Sequence, residues 1–109
     1  YRAEISDFIQ SYFEMPLISM FQSPYPNPFS NQITMGFNLK RDMNFKINIF
    51  DLLGRRVNMI EKKEVSSGRI FINWDGKDLN GKQLSSGVYF AMPISSDEVE
   101  PIKFVLLKE

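Results

Sequence analysis

The stretch QITMGFNLKRDMNFKINIFD, residues 32–51, decides the fold class of this chain. Apolar side chains alternate with polar or small ones in both of its halves. This period of two is typical of half-buried β-strands, because successive side chains of a strand point to opposite faces. The apolar positions are Ile33, Met35, Phe37, Leu39, Phe45, Ile47 and Ile49. The stretch therefore predicts two strands.

Short apolar segments continue on both sides of this stretch, and turn residues separate them. The further predicted strands are residues 17–21, 57–60, 70–74, 88–92 and 102–107. Between the first two strands lies SPYPNPFSN, residues 23–31, whose prolines cannot donate to a ladder, so we expect an irregular loop there. About seven short strands with turn signals roughly every ten residues predict an all-β antiparallel sandwich.

The first residues differ in character from the rest. Apolar residues at helical spacing predict one face of a short helix, which begins after Ser6 and ends before Pro16. These residues are Ile5, Phe8, Ile9, Tyr12 and Phe13. We expect residues 1–21 to be a linker or the end of a preceding domain, and residues 22–109 to be the domain itself. A helix that docks on a partner is the alternative. Because the chain starts at Tyr1 rather than Met, we expect it to be part of a longer protein.

Composition excludes several function classes. The formal net charge is zero, which argues against nucleic acid or an anionic membrane as the main partner. The chain has no cysteine and no histidine, so thiol nucleophiles, imidazole bases and the usual structural zinc sites are excluded. No apolar run approaches the roughly 20 residues that span a bilayer, so no transmembrane segment is expected.

The run NWDGKDLNGKQLSSGVYF, residues 73–90, raises the question of a metal site. Asp75, Asp78 and Asn80 have a spacing faintly like that of a calcium loop, but lysines intrude and no terminal glutamate follows. Asp-Gly and Asn-Gly dipeptides are common turn formers. We favour a turn, anchored to the core by Trp74, and expect neither a metal nor a cofactor.

Catalysis by this segment has little support. The 13 acidic residues are scattered among turns and strand faces, which gives accidental pairs rather than a designed one. The serine pairs 66–67 and 85–86 precede glycines, as turn residues do, and no histidine can activate them. We expect no catalytic residue here. Any enzyme activity of the parent protein, such as hydrolysis, would lie elsewhere.

Four segments in order carry a resemblance: YPNPFSNQITMGFNL, INIFDLLGRRV, SSGRIFINWDGKDLNGKQLSSGVYF and IKFVLLK. Together they resemble the C-terminal sorting domain of the type IX secretion system of certain Gram-negative bacteria (the Por secretion system, type A). They are also similar to the immunoglobulin-like module of flagellar hook-cap proteins. The resemblance covers about residues 22–108. The Tyr-Pro-Asn-Pro-Phe box and the terminal Lys-x-Val-Leu-Leu-Lys strand favour the sorting domain.

The resemblance implies an immunoglobulin-like or fibronectin III-like sandwich without catalytic activity. Such a module directs an attached cargo domain through the periplasm and across the outer membrane, for release or attachment at the cell surface. Its implied partners are secretion-machinery proteins at the outer membrane and the upstream cargo domain. The implied recognition residues are Tyr25, Pro26, Asn27, Pro28, Phe29, Asp51, Gly54, Gly87, Tyr89, Lys103, Val105, Leu106, Leu107 and Lys108.

Alternatives stay open for residues and for function. For Phe29, Trp74 and Tyr89, core packing is the favoured direct role. Pro93 departs from the family pattern, so we expect its strand to be an edge there or to end early. The polar segment 95–100 is longer than in the family. A structural or adhesive accessory module on an upstream enzyme is the second functional hypothesis, and a carbohydrate-binding face of exposed aromatic rings is the third.

Overall fold

The structure, a computed structural model, describes residues 16–95 and 100–108. Within these residues the chain forms seven strands and no helix, which confirms the predicted number of strands. The strands are β1 (Ile18–Tyr25), β2 (Ile33–Leu39), β3 (Met43–Asp51), β4 (Arg56–Val65), β5 (Gly68–Trp74), β6 (Gly87–Pro93) and β7 (Ile102–Leu106). The described part of the chain contains no helix with the length and apolar character needed to cross a membrane. The helix expected near the N-terminus lies outside the described residues.

The strands form two antiparallel sheets. One sheet has three strands in the order β1-β2-β5, and the other has four in the order β4-β3-β6-β7. In a constant-type immunoglobulin domain the fourth strand joins the sheet of the first, second and fifth. Here it lies beside β3 instead, which is the distribution of a fibronectin III-type domain. The predicted all-β sandwich is confirmed.

Alternating residues of both sheets fill the space between them. The seven alternating apolar residues named for the stretch 32–51 are all buried, as their alternation predicts. β6 is apolar on both faces, and its buried face carries Tyr89, Ala91 and Pro93. Val88, Phe90 and Met92 lie on its half-buried outer face. The register is therefore strongly specified in β2 and β3, where a slip by one residue would expose the whole core face.

The two ends of the sandwich differ in the elements they gather. One end, here called the loop-rich end, carries the connections 26–32, 51–55 and 75–86 together with the C-terminus of β7. The strand pairs that reach this end are Ile33–Trp74, Asp51–Tyr89 and Gly87–Leu106. At the opposite end β1 begins, with Ile18 paired to Leu39. The chain upstream of β1 therefore joins the sandwich at the end remote from these loops.

The proline-rich loop begins later than expected. The prediction of an irregular loop from residue 23 is wrong at its start, because Ser23, Pro24 and Tyr25 belong to β1. Two register shifts interrupt the β1–β2 pairing on either side of Gln22. Proline is tolerated there because β1 is an edge strand, whose outer N–H groups need no ladder partner. The expected domain boundary between residues 21 and 22 falls inside this strand.

Pro93 marks the end of β6, in line with the expectation for this residue. It lies opposite Ile47 of β3, but the backbone hydrogen bond to β3 is made by the next residue, from Ile94 N to Lys46 O at 2.9 Å. Antiparallel pairs alternate between bonded and non-bonded positions, so the nitrogen of Pro93 faces away from β3. The β6–β7 ladder has already ended at the pair Ala91–Ile102. The proline therefore removes no ladder hydrogen bond.

Gly36 in β2 provides the bare backbone on which an aromatic ring rests. A Cβ placed on Gly36 would lie 2.7 Å from Cζ of Phe21 and 3.0 Å from Cβ of Gln22. The Phe21 ring, displaced by the bulge in β1, meets Phe71 edge-on with centroids 5.5 Å apart. The guanidinium carbon of Arg69 lies 4.6 Å from the Phe21 centroid. This cluster covers the outer face of the three-stranded sheet at its centre.

Gly36→Ala should lower the free energy of unfolding by about 1–3 kcal/mol, because the new methyl group must push the Phe21 ring off the sheet. Urea denaturation measures the change. In a Phe21→Ala background the same substitution should cost less, and the double-mutant cycle gives the coupling. An equal penalty in both backgrounds would show that the ring is not the cause.

Candidate functional site

The proline box and the terminal strand, predicted separately, lie against each other at the loop-rich end. Phe29 N donates to Val105 O at 2.9 Å, and Leu107 N donates to Phe29 O at 2.8 Å. Phe29 thus forms a parallel bridge with β7. Val105 N donates to Oδ1 of Asn27 at 2.9 Å. These three bonds cover the outer edge of β7, which would otherwise present unpaired backbone groups.

Lys108 continues the same contact beyond β7. Its Nζ donates to Ser30 O at 3.2 Å and to Oδ1 of Asn31 at 3.4 Å. Its backbone makes two hydrogen bonds with Ser86. The Ser86 hydroxyl accepts from Lys108 N at 2.7 Å and donates to Lys108 O at 2.9 Å. The last described residue therefore binds two separate loops. Tyr25–Pro26 and Asn27–Pro28 are both cis peptide bonds.

Beneath the proline box, aromatic rings from both sheets form the core of this end. Phe29 and Phe104 lie 6.0 Å apart between centroids, and both contact Trp74, at 5.8 and 5.7 Å. Tyr89 meets Trp74 edge-on at 5.4 Å. All four rings are at most 5% exposed. The packing role expected for Phe29, Trp74 and Tyr89 is confirmed, and Phe29 joins the proline box to this cluster.

Each polar aromatic ring of the cluster also holds a loop. Nε1 of Trp74 donates to Lys77 O at 3.0 Å, which ties the expected turn to the core. The hydroxyl of Tyr89 donates to Ser85 O at 2.7 Å, four residues upstream. A tyrosine near the start of the sixth strand that bonds back to the preceding corner is the tyrosine corner of immunoglobulin-like domains. The Gly-Val-Tyr element at residues 87–89 is therefore a corner that orders the preceding loop.

Tyr89→Phe should lower the free energy of unfolding by about 1–2 kcal/mol, because it leaves Ser85 O without its hydrogen-bond donor. Tyr25→Phe is the matched control, since Tyr25 is 70% exposed. The control should stay within about 0.5 kcal/mol of the parent chain in urea denaturation. Equal effects of the two substitutions would contradict the corner role.

The Asp-x-x-Gly turn at residues 51–54 is held by one carboxylate. Oδ1 of Asp51 accepts from Leu53 N at 3.0 Å and from Arg55 N at 2.9 Å. The backbone closes the turn through Gly54 N to Asp51 O at 3.0 Å and Asp51 N to Arg55 O at 2.9 Å. Gly54 has φ of 83°, a left-handed conformation that favours glycine. Nε of Arg55 donates to Oδ2 of Asp51 at 2.7 Å.

A second copy of this turn, which the sequence analysis did not identify, occupies residues 78–82. Oδ1 of Asp78 accepts from Asn80 N and Lys82 N, both at 2.9 Å. Gly81 N donates to Asp78 O at 3.0 Å, Asp78 N donates to Lys82 O at 2.9 Å, and Gly81 has φ of 80°. The signal was present as Asp-x-x-Gly followed by a cation in both DLLGR and DLNGK.

The carboxylates of the run 73–90 bind backbone N–H groups. Besides the bonds of Asp78, Oδ1 of Asp75 accepts from Lys77 N at 3.1 Å. Gly76, between these aspartates, has φ of 76° and lies against Gln83 and Leu106. The favoured interpretation of this run as a turn anchored by Trp74 is confirmed.

Asp51 is the described carboxyl group with a clear pKa shift. The hydrogen bond from Arg55 N lowers the pKa of Asp51 most, against an opposing effect from lost hydration. The Arg55 guanidinium and Leu53 N also lower it. A carboxyl group whose pKa is lower in the folded state stabilises the fold above its unfolded value, about 3.9, and loses this effect as pH falls through the folded value.

Asp51→Asn should therefore destabilise the domain most near neutral pH, and the gap to the parent chain should narrow as pH falls below about 3.9. Urea midpoints at several pH values measure this gap. Arg55→Gln keeps the dominant backbone donor, so it should retain most of the pH dependence. If Arg55→Gln removed that dependence completely, the guanidinium rather than the backbone would be the main cause.

The expected recognition residues divide into buried, half-buried and exposed groups, and the half-buried members are Asp51, Gly87 and Val105. Phe29, Tyr89 and Leu106 are buried and can act only through packing. Tyr25 and Leu107 are 70% and 55% exposed. The remaining exposed members are Pro26, Asn27, Pro28, Gly54, Lys103 and Lys108. Most candidates lie at the loop-rich end. Lys103 lies farther along β7, opposite Phe90 of β6.

A sequence profile decides between the related families. The profile of the secretion system C-terminal sorting domain matches residues 23–107. The chain belongs to this family. The matched segment includes six of the seven strands in full and every candidate residue except Lys108. None of the curated protein sequences is significantly similar to the chain.

Solved structures with the same fold come from secretion and flagellar proteins. Dimeric latent PorU from Porphyromonas gingivalis has a TM-score of 0.68 and 21% identity over 88% of this chain. PorZ, a surface component of the type IX secretion system of that organism, has a TM-score of 0.54 and 20% identity over 82% of this chain. FlgD from Xanthomonas campestris, which acts in hook capping, has a TM-score of 0.55 and 14% identity. The match covers 89% of this chain and 74% of the FlgD chain. This chain spans 10% of PorU and 11% of PorZ, and these likenesses establish the fold alone.

Family membership establishes the role of this sorting domain. It serves the export of an attached cargo by the type IX secretion system. Proteins that carry it are exported to the outer membrane or cell surface, or are released. The family is non-catalytic, and its role implies contact with the secretion machinery. The resemblance stated for the four sequence segments is thereby confirmed.

Proposed function

We propose that the export machinery recognises the loop-rich end of the sorting domain as one folded surface. The observation that carries the proposal is the pairing of Phe29 with Val105 and Leu107. It joins two segments that are far apart in the sequence, as the bond between Asn27 and Val105, 78 positions apart, illustrates. Both segments carry the residues that the family resemblance implies in recognition. They form one surface only when the domain is folded.

Within this surface the residues have different roles. The exposed Tyr25, Leu107 and Lys108 contact the machinery, whereas Phe29 and Tyr89 hold the surface in place from the core. Asp51 and Gly54 shape one turn, and Gly87 begins the corner of β6. Lys103 adds a charge beside the surface. This division follows from burial, because a side chain that is at most 5% exposed offers no area to a partner.

The direction of the chain supports the same arrangement. The proposed domain begins at Ile18, the first residue of β1, which is buried at the end opposite the loops. A cargo domain that precedes β1 is attached there and leaves the loop-rich end open. In this proposal any catalytic activity of the parent protein, such as hydrolysis, belongs to the cargo.

A fusion of residues 16–109 to a passenger protein, expressed with a signal peptide in a type IX-competent host, should export the passenger. Deletion of residues 103–109 should abolish export. The deletion also removes Phe104 and Leu106 from the core, so it cannot separate recognition from folding. The discriminating variant is therefore Tyr25→Ala with Leu107→Ser, which changes only exposed side chains.

This double variant should reduce export while its urea midpoint stays that of the parent chain. The matched control is Ile94→Ser with Met20→Ser, two side chains that are 47% and 40% exposed and lie away from the loops. Unchanged export of the folded Tyr25–Leu107 variant would reject the proposed surface. If removal of the whole domain left export normal but destabilised the passenger, the accessory-module hypothesis would be favoured instead.

A further inference from the structure

The turns 51–55 and 78–82, here called the twin loops, share one hydrogen-bond pattern and lie side by side at the loop-rich end. Leu79 N, in the second loop, donates to Val57 O just after the first, at 3.1 Å. A cleft of about 360 Å³ separates the loops, and both aspartates contribute to its lining. The loops therefore form one continuous surface.

Three leucines project from the twin loops into solvent. Leu52 is 67% exposed, Leu53 is 79% exposed and Leu79 is 58% exposed. A single exposed leucine is normal on a protein surface. Three on two adjoining loops form a patch, and such patches mark interaction sites. None of the three belongs to the buried core, so the fold does not explain why they are apolar.

The loops hold these leucines in fixed positions. In each loop the aspartate oxygen accepts two backbone N–H groups, and two further backbone bonds close the turn. A partner that binds the leucines therefore does not have to order the loop, which removes one of the main costs of association.

The charged groups near the three leucines are two carboxylates and three cations. The carboxylates of Asp51 and Asp78 bind backbone N–H groups of their own loops. Arg55 and Lys82 of these loops and the adjoining Arg56 are exposed, and Arg55 pairs with Asp51 at 2.7 Å. Three cations against two carboxylates leave this surface with one excess positive charge, although the formal net charge of the whole chain is zero.

We propose that the twin loops dock on a folded protein of the export machinery that presents an apolar pocket rimmed by carboxylates. The pocket receives the leucines, and the carboxylates pair with Arg56 and Lys82. This inference rests on the proposed sorting role and specifies the chemistry of its partner. A protein fits better than an anionic membrane, because stable membrane attraction uses clusters of four to eight cations and three are present here.

Leu52→Ser, Leu53→Ser and Leu79→Ser, combined in the passenger fusion, should reduce export about tenfold or more, since the variant loses the burial of three leucine side chains in the partner's pocket. Arg56→Glu with Lys82→Glu should also reduce export. Both variants should keep the urea midpoint of the parent chain. The control is again Ile94→Ser with Met20→Ser, which should export normally.

The outcomes separate this inference from the proposed function. Failure of the parent fusion to export rejects both. Export that depends on Tyr25 and Leu107 but not on the twin-loop leucines, nor on Arg56 and Lys82, rejects the docking inference alone. As a second measurement, the purified domain is mixed with phosphatidylserine vesicles and sedimented. Binding that depends on Leu52 and Leu53 would assign the patch to a membrane and overturn the protein partner, and absence of binding is the expected result.

Discussion

The backbone pairing between Phe29 and the last strand holds the loop-rich end together. Its two hydrogen bonds cover the open edge of β7, and the ring of the same residue enters the core beside Trp74 and Phe104. Phe29 thus fixes the proline-rich loop in two ways, through backbone hydrogen bonds to β7 and through its ring in the core. The loss of this residue would uncover a strand edge and open a cavity in the core at the same time. The arrangement of the neighbouring loops depends on it.

The fold was predictable because its central strands obey a strict period of two. Ile33 to Leu39 and Phe45 to Ile49 place every second side chain in the core, and turn residues separate the strands. The buried face of β6 was not predictable in this way, because both faces of its sequence are apolar. The start of the proline-rich loop was misjudged for a different reason. An edge strand tolerates Pro24, and sequence alone does not show which strands are edges.

The candidate site was predictable in its parts but not in its assembly. The proline box, the Asp-x-x-Gly turn and the terminal strand each carry a local signal. The bonds that join them run over 78 positions, from Asn27 to Val105, and no local pattern encodes such a contact. The second Asp-x-x-Gly turn shows the opposite case. Its signal is local, but it lies within a run whose acidic residues first suggest a metal site.

The topology makes the proposed recognition surface conditional on complete folding. β7 is the last strand in the chain, and it supplies Val105 and Leu107 to the proline box and Phe104 to the aromatic cluster. Until it pairs with β6, Phe29 has neither its backbone partner nor one wall of its pocket. A machine that binds the loop-rich end would therefore engage only a domain whose last strand is in place. Recognition through a composite surface, rather than through a linear peptide, adds this test of folding without any further element.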